Sequence, residues 1–565
     1  MDSVRVIVRT MRNAVRWMSA ITVALLAACA SERMPCVDRA FVGGRVWTGD
    51  DARPWATAIA VSGDRLAAVG SDGEVRALCG AATEVIDLHG KFVCPGFIDA
   101  HLHFLQPEQI EIEEADSLAT IQGKVREYAA ANPQAEWLVG RGWGYAAFPD
   151  NSPHKRYLDQ VVADRPLVLE ERDGHMSVCN GKALALAGIT RDTRDPEHGR
   201  IVHDTNGEPT GELQESAAQL VWKLVPDPSA EQMYAALKRT LDRAASYGLT
   251  SACQASFSRE DLPIFRRVIA EGGMKMRFYW SVPFERDATD DDFAKWRALQ
   301  DDFPRELIKF GCAKGFVDGV VDAQTAAMFE PYTTGKNGIA MWTQAELDAT
   351  AVRYDRAGFQ ILLHAIGDRA IHMALDAYEH ARFVDGARDS RHRVEHIEVP
   401  ALADLPRFRE LGVIASTQAL FANPDQTTLE NYSPLLGLER AANACAFKLF
   451  DDAGAVQAFG SDWPVFSMEV LHGIYCAATR MTPEGTPAGG YFPQHCISVE
   501  VALRHFTRDA AFACFDERDQ GTLEAGKFAD FVVLSEDILE QPPARVLATR
   551  VIRTVMGGHD TYTAD

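Results

Sequence analysis

The chain has 565 residues, 47% of them apolar and 24% charged, with a formal net charge of -23 at pH 7. That length is too great for one small core, and the composition is that of an ordinary globular protein, so one large domain with an attached module is expected. The acidic surplus excludes nucleic acid as a partner, because a phosphate backbone is held by clustered Lys and Arg that this chain lacks.

The first residues read as an export signal. Arg5, Arg9, Arg12 and Arg16 make a basic start, and WMSAITVALLAAC supplies a short apolar core ending in small residues. That core is too short to span a bilayer. Its end, Leu26-Ala27-Ala28-Cys29, resembles a bacterial lipobox, which implies a signal peptide over residues 1–28 and a lipidated Cys29. A plain secretory signal cut nearby, or a chance apolar stretch, is the alternative. The expected address is the periplasm or the outer membrane of a bacterium, with the lipid on Cys29 as the membrane attachment. In an oxidising compartment Cys36 and Cys79 could pair, whereas Cys253, Cys312 and Cys514 sit in apolar runs that suit buried free thiols.

Over residues 36–94, short strand-like runs such as RAFVGGRVWTGD and ATAIAVSGDRLAAVG are broken by Gly and Asp. A matching piece at residues 511–560 contains GTLEAGKFADFVVLSED and RVIRTVMGG. Together they predict a small β-sandwich domain built from both termini.

Residues 95–510 alternate strand-like runs with amphipathic helical stretches, the signature of parallel α/β architecture. Eight candidate strands follow in order: GFIDAHLH, TSACQAS, MRFYWSV, LIKFGCAKGF, FQILLHAIG, HRVEHIEV, GVIASTQAL and AVQAFGSDW. Eight predicts a (β/α)8 TIM barrel, in which chemistry gathers at the C-terminal ends of the strands. A large insertion after strand one, at about residues 105–226, would roof that face.

Strand one sets the chemical question. Alternation puts Phe97, Asp99, His101 and His103 on one side and Ile98, Ala100, Leu102 and Phe104 on the other. Lys314 then falls at the end of strand four, His364 at strand five, His396 at strand six and Asp462 at strand eight. Imidazole nitrogens and carboxylate oxygens are the donor set for zinc or a similar divalent ion. Lys314 is the misfit, since an ammonium repels a cation. It fits if its neutral amine takes up carbon dioxide to become a carbamate able to bridge two metals, and burial beside cations favours that neutral amine. A lysine paired with Asp318 or Asp322 is the bland alternative.

PGFIDAHLHF, KGFVDG with TAAMFEPY, HAIGDRAI, HRVEHIE and GSDWPV resemble the successive signatures of the amidohydrolase superfamily, specifically its YtcJ-like or N-substituted formamide deformylase-like branch. The flanks GGRVWTGD, DLHGKFVCPG, DGHMSVCNGKALALAGI and GTLEAGKFADFVVL are similar too, so the resemblance spans nearly the whole chain after the signal. It implies His101 and His103 on one metal, His364 and His396 on a second, and Lys314 as a carboxylated bridge. Asp462 would ligate the first metal and shuttle the proton. Some members of the superfamily work with one metal, and a single-metal version here would not require Lys314 to be modified, so one or two ions stay open.

Around this centre, His175 is a candidate donor to the substrate carbonyl or its oxyanion, and Asn180 shares its stretch. Trp143 and Trp463 are candidate pocket walls, and Asp318 could orient Lys314 or contact substrate. Arg369 reads as a helix anchor. Strand seven ends STQAL where the resemblance leads one to expect Gln-Pro, which makes Gln418 a minor site candidate. His392 shares strand parity with His396 and competes for the ligand role; His396 lies nearer the C-terminal end. Asp99 lies deeper and reads as a support.

The expected function is metal-dependent hydrolysis of a C–N bond in a small amide, N-acyl or cyclic amide substrate by activated water. The alternatives are an ester, lactone or phosphotriester hydrolase using the same centre, and a non-catalytic lipoprotein that binds a metabolite. A homo-oligomer is compatible with the sequence.

Overall fold

Eight parallel strands pair in sequence order: Phe97–Leu102, Leu249–Gln254, Arg277–Pro283, Ile308–Phe316, Gln360–Ala365, Arg393–His396, Ile414–Gln418 and Gln457–Gly460. Six fall within the runs read from the sequence, and the second and third overrun theirs by one residue each, Leu249 and Pro283. These are the strands of a computed structural model that describes residues 36–564, apart from 108, 113, 114, 116, 145, 146, 172, 173, 175, 198 and 425–427. The signal peptide, Cys29 and His175 therefore lie outside the described residues.

The strands read as continuous apolar runs because helices cover their outer face while side chains fill the interior. QILLHA, the fifth, is buried at every position. The eighth strand returns to the first, where the Asp462 amide donates to His101 O and the His103 amide donates to Trp463 O, both at 2.7 Å. Gly460 permits this approach, since a Cβ there would lie 2.5 Å from the His101 nitrogen.

The outer helices follow the amphipathic pattern. Ala230–Ser246 opens on a Ser229–Gln232 capping box and buries Ala236, Leu237, Leu241, Ala244 and Ala245 against the barrel. Gly248, at φ 86, takes the chain out of the helix into the second strand.

A second module is a sandwich of two sheets. One sheet contains Arg39–Val42, Ala58–Ser62, Arg65–Gly70 and Glu84–Asp87. The other joins Arg45–Trp47, Trp55–Ala56 and Phe92–Pro95 to Phe531–Leu534, Val551–Met556 and His559–Thr563, so both ends of the chain share it. Phe41, Ile59 and Val61 from the first sheet pack against Val93, Phe531 and Val555 from the second.

Between barrel strands one and two, a six-stranded sheet forms from Ile110–Glu111, Leu138–Trp143, Leu167–Glu171, Met176–Cys179, Gly199–His203 and Pro209–Glu215. It has apolar cores of its own on its two sides.

Cys36 and Cys79 are not bridged: the Cys79 thiol turns toward Val75 O at 3.5 Å, and Cys36 is exposed. Cys253, Cys312 and Cys514 are buried thiols packed with Tyr279 and Leu362. Among the described residues no helix is long and apolar enough to cross a membrane.

Candidate metal centre

His101, His103 and Asp462 meet where barrel strands one and eight close. Asp462 Oδ1 lies 3.1 Å from His103 Nε2 and 3.4 Å from His101 Nε2, and one donor atom from each of the three residues falls within 4.8 Å of the others. His396 stands beside them, with ring centroids 4.8 Å from His101 and 4.5 Å from His364, and its Nδ1 3.8 Å from Asp462 Oδ2. The ends of strands one, five, six and eight thus bring four histidines and a carboxylate together.

Backbone geometry aims two of these side chains. His396 sits at φ 73, Ile397 at φ 53 and Asp462 at φ 58, left-handed conformations that cost on the order of 1–3 kcal/mol each in non-glycine residues. At His396 this turn breaks the strand's alternation. His392 faces outward, its Nε2 3.0 Å from Asp355 Oδ1 and its Nδ1 accepting from the Ile361 amide, whereas His396 is swung over the barrel mouth.

The donor atoms are set by their partners. Glu395 Oε2 lies 2.6 Å from His101 Nδ1, so the carboxylate takes that N–H and leaves the buried Nε2 without a hydrogen-bond partner. His364 Nε2 lies 3.1 Å from Gly319 O, which can only accept, so Nδ1 is the free nitrogen. His396 Nδ1 lies 3.0 Å from Gln418 Oε1.

Burial lowers the His101 pKa to about 4 against the pull of Glu395, and the His396 pKa to about 3 against the pull of Asp462. Burial, with His396 and Lys314 nearby, also puts His364 well below its ordinary range. All three are neutral at pH 7, the form that offers a lone pair. Burial would raise Asp462, but His103, His396 and His101 outweigh it and hold the carboxyl well below the usual range. A buried, unpartnered imidazole nitrogen beside an ionised carboxylate is a donor set lacking its acceptor, and a divalent cation fits it.

Lys314 opens on the same cavity, with Nζ 4.2 Å from the Phe316 ring centroid. Burial lowers its pKa, opposed by Glu395 and Asp462. It is not paired with Asp318, whose carboxylate accepts from the amides of Ala327, Ile366 and Gly367 at 2.8 to 3.0 Å.

A cavity of about 240 Å³ lies over the cluster. Its walls include Phe316, Phe421 and Phe466, the Tyr432–Glu398 hydrogen-bonded pair, and Arg141 from the insertion.

Several candidates lie away from this cavity wall. Trp143 is fully buried in the insertion's own core, its indole N–H donating to Leu169 O. Trp463 packs against Phe104, with ring centroids 6.3 Å apart, in the barrel core. Asp318 accepts from two amides in the turn after strand five, Ile366 and Gly367, and from Ala327 in the loop after strand four, rather than orienting Lys314. Asn180 caps the helix Gly181–Leu186. Arg369 is exposed in the first turn of Asp368–Asp385, its amide donating to Ala327 O. Asp99 accepts from the amides of His101 and Ser461, tying strand one to strand eight.

Three contributors were not singled out from sequence. Glu395 orients His101, Arg393 pairs with Glu395 through Nε–Oε1 at 2.8 Å, and Arg141 lines the cavity from the insertion. The signal for the first two was present, because Arg and Glu two apart in an interior strand require a buried ion pair.

A (β/α)8 barrel with converging histidines and a carboxylate at its strand ends defines a TIM-barrel enzyme with its site at the usual face. The match described as "Amidohydrolase family" covers residues 84–562, and the chain belongs to that family. It is therefore placed among the hydrolases. It is 30% identical to Protein LONG AFTER FAR-RED 3 of Arabidopsis thaliana, across 93% of this chain and 91% of that one. It is 29% identical to Putative amidohydrolase YtcJ of Bacillus subtilis, across 92% and 98%, and 28% identical to N-substituted formamide deformylase of Arthrobacter pascens, across 92% and 97%. Among solved structures, an uncharacterized metal-dependent hydrolase from Pyrococcus furiosus superposes with a TM-score of 0.69 at 24% identity, covering 89% of this chain and all of that one.

Proposed function

We propose that the protein is a metal-dependent amidohydrolase that cleaves a C–N bond in a small amide, N-acyl or cyclic amide substrate. The observation that carries this reading is the neutral, buried set of His101, His364 and His396, gathered with His103 around the ionised Asp462. The deformylase relative supports the choice of a C–N bond.

His101, His103 and Asp462 would hold one divalent ion, zinc by the chemistry of the donors, and His364, His396 and a carboxylated Lys314 would hold a second. When bound, such an ion lowers the pKa of water toward neutrality and polarises the scissile carbonyl. Asp462 accepts the proton of the attacking water at a carboxylate oxygen and returns it to the departing nitrogen, so amide and water yield acid and amine. His175 is the proposed hydrogen-bond donor to the carbonyl oxygen. Phe316, Phe421 and Phe466 exclude bulk water, and Arg141 bounds the substrate from the roof. Export and lipidation at Cys29 complete the proposal and rest on the sequence of the first 29 residues.

Parallel assays on N-acyl amides, esters and phosphotriesters, before and after chelation, test it. Hydrolysis of an N-acyl amide should vanish on chelation and return with zinc, and elemental analysis should find one or two ions per chain. Full activity in the metal-free protein, or turnover confined to phosphotriesters, would end this reading.

A further inference from the structure

We propose that Gln418 is a positioning residue whose side-chain carbonyl fixes the tautomer and orientation of His396. The inference rests on the reading of His396 as a metal ligand. Gln418 ends the seventh barrel strand, is 1% exposed, and places Oε1 3.0 Å from His396 Nδ1. A neutral imidazole carries one N–H, and an amide oxygen can only accept. The proton is therefore on Nδ1 and the lone pair on Nε2, the nitrogen this inference assigns to the metal. The reverse amide orientation would put a donor against Nδ1, drive the proton to Nε2 and remove that ligand.

Two further observations separate this role from packing. His396 sits at φ 73, outside the region its backbone favours, and the Phe421 ring stacks on it at 6.0 Å with 10° between planes. The imidazole thus has one face fixed by a ring and one edge fixed by Gln418. Meanwhile Gln418 Nε2 is buried without a hydrogen-bond partner. An orphaned amide donor costs free energy that an apolar side chain of the same shape avoids, so the fold alone gains nothing from glutamine here. The gain lies in the His396 bond.

The same device recurs with different acceptors. Glu395 serves His101 with a carboxylate, and Gly319 serves His364 with a backbone carbonyl. Gln418 supplies a neutral acceptor, which sets the tautomer of His396 without adding charge beside Asp462.

The test is competitive chelator titration of the full-length protein with zinc, in the native chain, Gln418→Met and Gln418→Glu, alongside thermal unfolding of each metal-free protein. Gln418→Met should weaken zinc binding about 10- to 100-fold, the usual effect of removing a partner of a ligating histidine. It should leave metal-free stability unchanged or higher, and Gln418→Glu, which keeps an acceptor, should recover most of the affinity. Zinc affinity of Gln418→Met within twofold of native overturns the assignment. So does an affinity loss accompanied by an equal loss of metal-free stability, or a well-folded Gln418→Glu protein as weak as Gln418→Met. Native protein that takes up no zinc overturns the metal reading itself, and this inference with it.

Discussion

Arg393 and Glu395 form an ion pair with no exposed surface, directly behind His101. Arg393 Nε meets Glu395 Oε1 at 2.8 Å, Arg393 Nη2 donates to Ser416 Oγ at 2.7 Å, and Glu395 Oε2 takes the His101 N–H. Burial would raise the Glu395 pKa, but Arg393 and His101 outweigh it and hold the carboxyl well below its usual range. A depressed carboxyl contributes stability that is complete above its unfolded pKa of about 4.3 and is lost as pH falls below that value. Glu395→Gln leaves the Arg393 charge buried and unpaired, so at pH 7 it should cost about 3–5 kcal/mol and lower metal content. Urea unfolding of native and variant chains at pH 7 and pH 3.5 should show the gap narrowing at the lower pH, as the native protein loses its own increment. An equal gap at both values would show that the pair is not what holds this carboxylate. Sequence showed the HRVEHIE run but not this arrangement. Strict alternation groups His392 with His396, and only the left-handed turn at His396 brings it to the same side as Glu395. The tryptophans fail for a different reason: a pocket wall and a core plug have the same composition, and Trp143 proves to be a plug.

At the scale of elements, the eight barrel strands were readable because parallel strands covered on both faces leave continuous apolar runs ended by turn residues. The six-stranded sheet between barrel strands one and two was readable only as an insertion. It pairs Leu138–Trp143 with Leu167–Glu171, and Met176–Cys179 with Pro209–Glu215, across loops whose closure no local pattern reports. The seam between strands one and eight lies between these cases. GSDW and HLHF each mark a strand end, but nothing in either says that Gly460 lies against His101. A Cβ at position 460 would sit 2.5 Å from His101 N, 2.8 Å from His101 Cβ and 2.9 Å from His101 O. Two of those atoms are backbone and cannot rotate away. Gly460→Ala should therefore spread the seam, stretch the Asp462–His101 and His103–Trp463 hydrogen bonds, and cost about 1–3 kcal/mol by overpacking. Because the same bonds position three proposed ligands, metal content should fall with the melting temperature. A variant that melts as the native protein does, with its metal retained, would show that the strands close with slack.

Across the whole molecule, the sandwich and the barrel are joined by continuity and by charge. Phe92–Pro95 pairs with Phe531–Leu534 in the sandwich and runs directly into the first barrel strand. The charged tie is Arg277, at the start of the third barrel strand, against Asp530 beside Phe531. Their Nε–Oδ2 and Nη2–Oδ1 distances are 2.7 and 3.2 Å, and the two residues are 5% and 4% exposed. Arg277 also donates to Glu306 O and stacks over Phe528, while the Gly557 amide donates to Asp530 Oδ1. One contact therefore engages the barrel, the last sandwich sheet and the turn between its final strands. Asp530→Ala strands a buried guanidinium and leaves the Gly557 N–H unsatisfied, and should cost about 3–5 kcal/mol. Replacing both partners, Arg277→Met with Asp530→Leu, removes the stranded charge and restores volume, so much of that loss should return. Recovery should stop short of native because Leu cannot accept from Gly557. Thermal unfolding of the native, single and double variants measures the coupling directly. A double variant no more stable than Asp530→Ala would show that the two modules are held by the shared sheet and apolar contact, with the ion pair contributing nothing to their union.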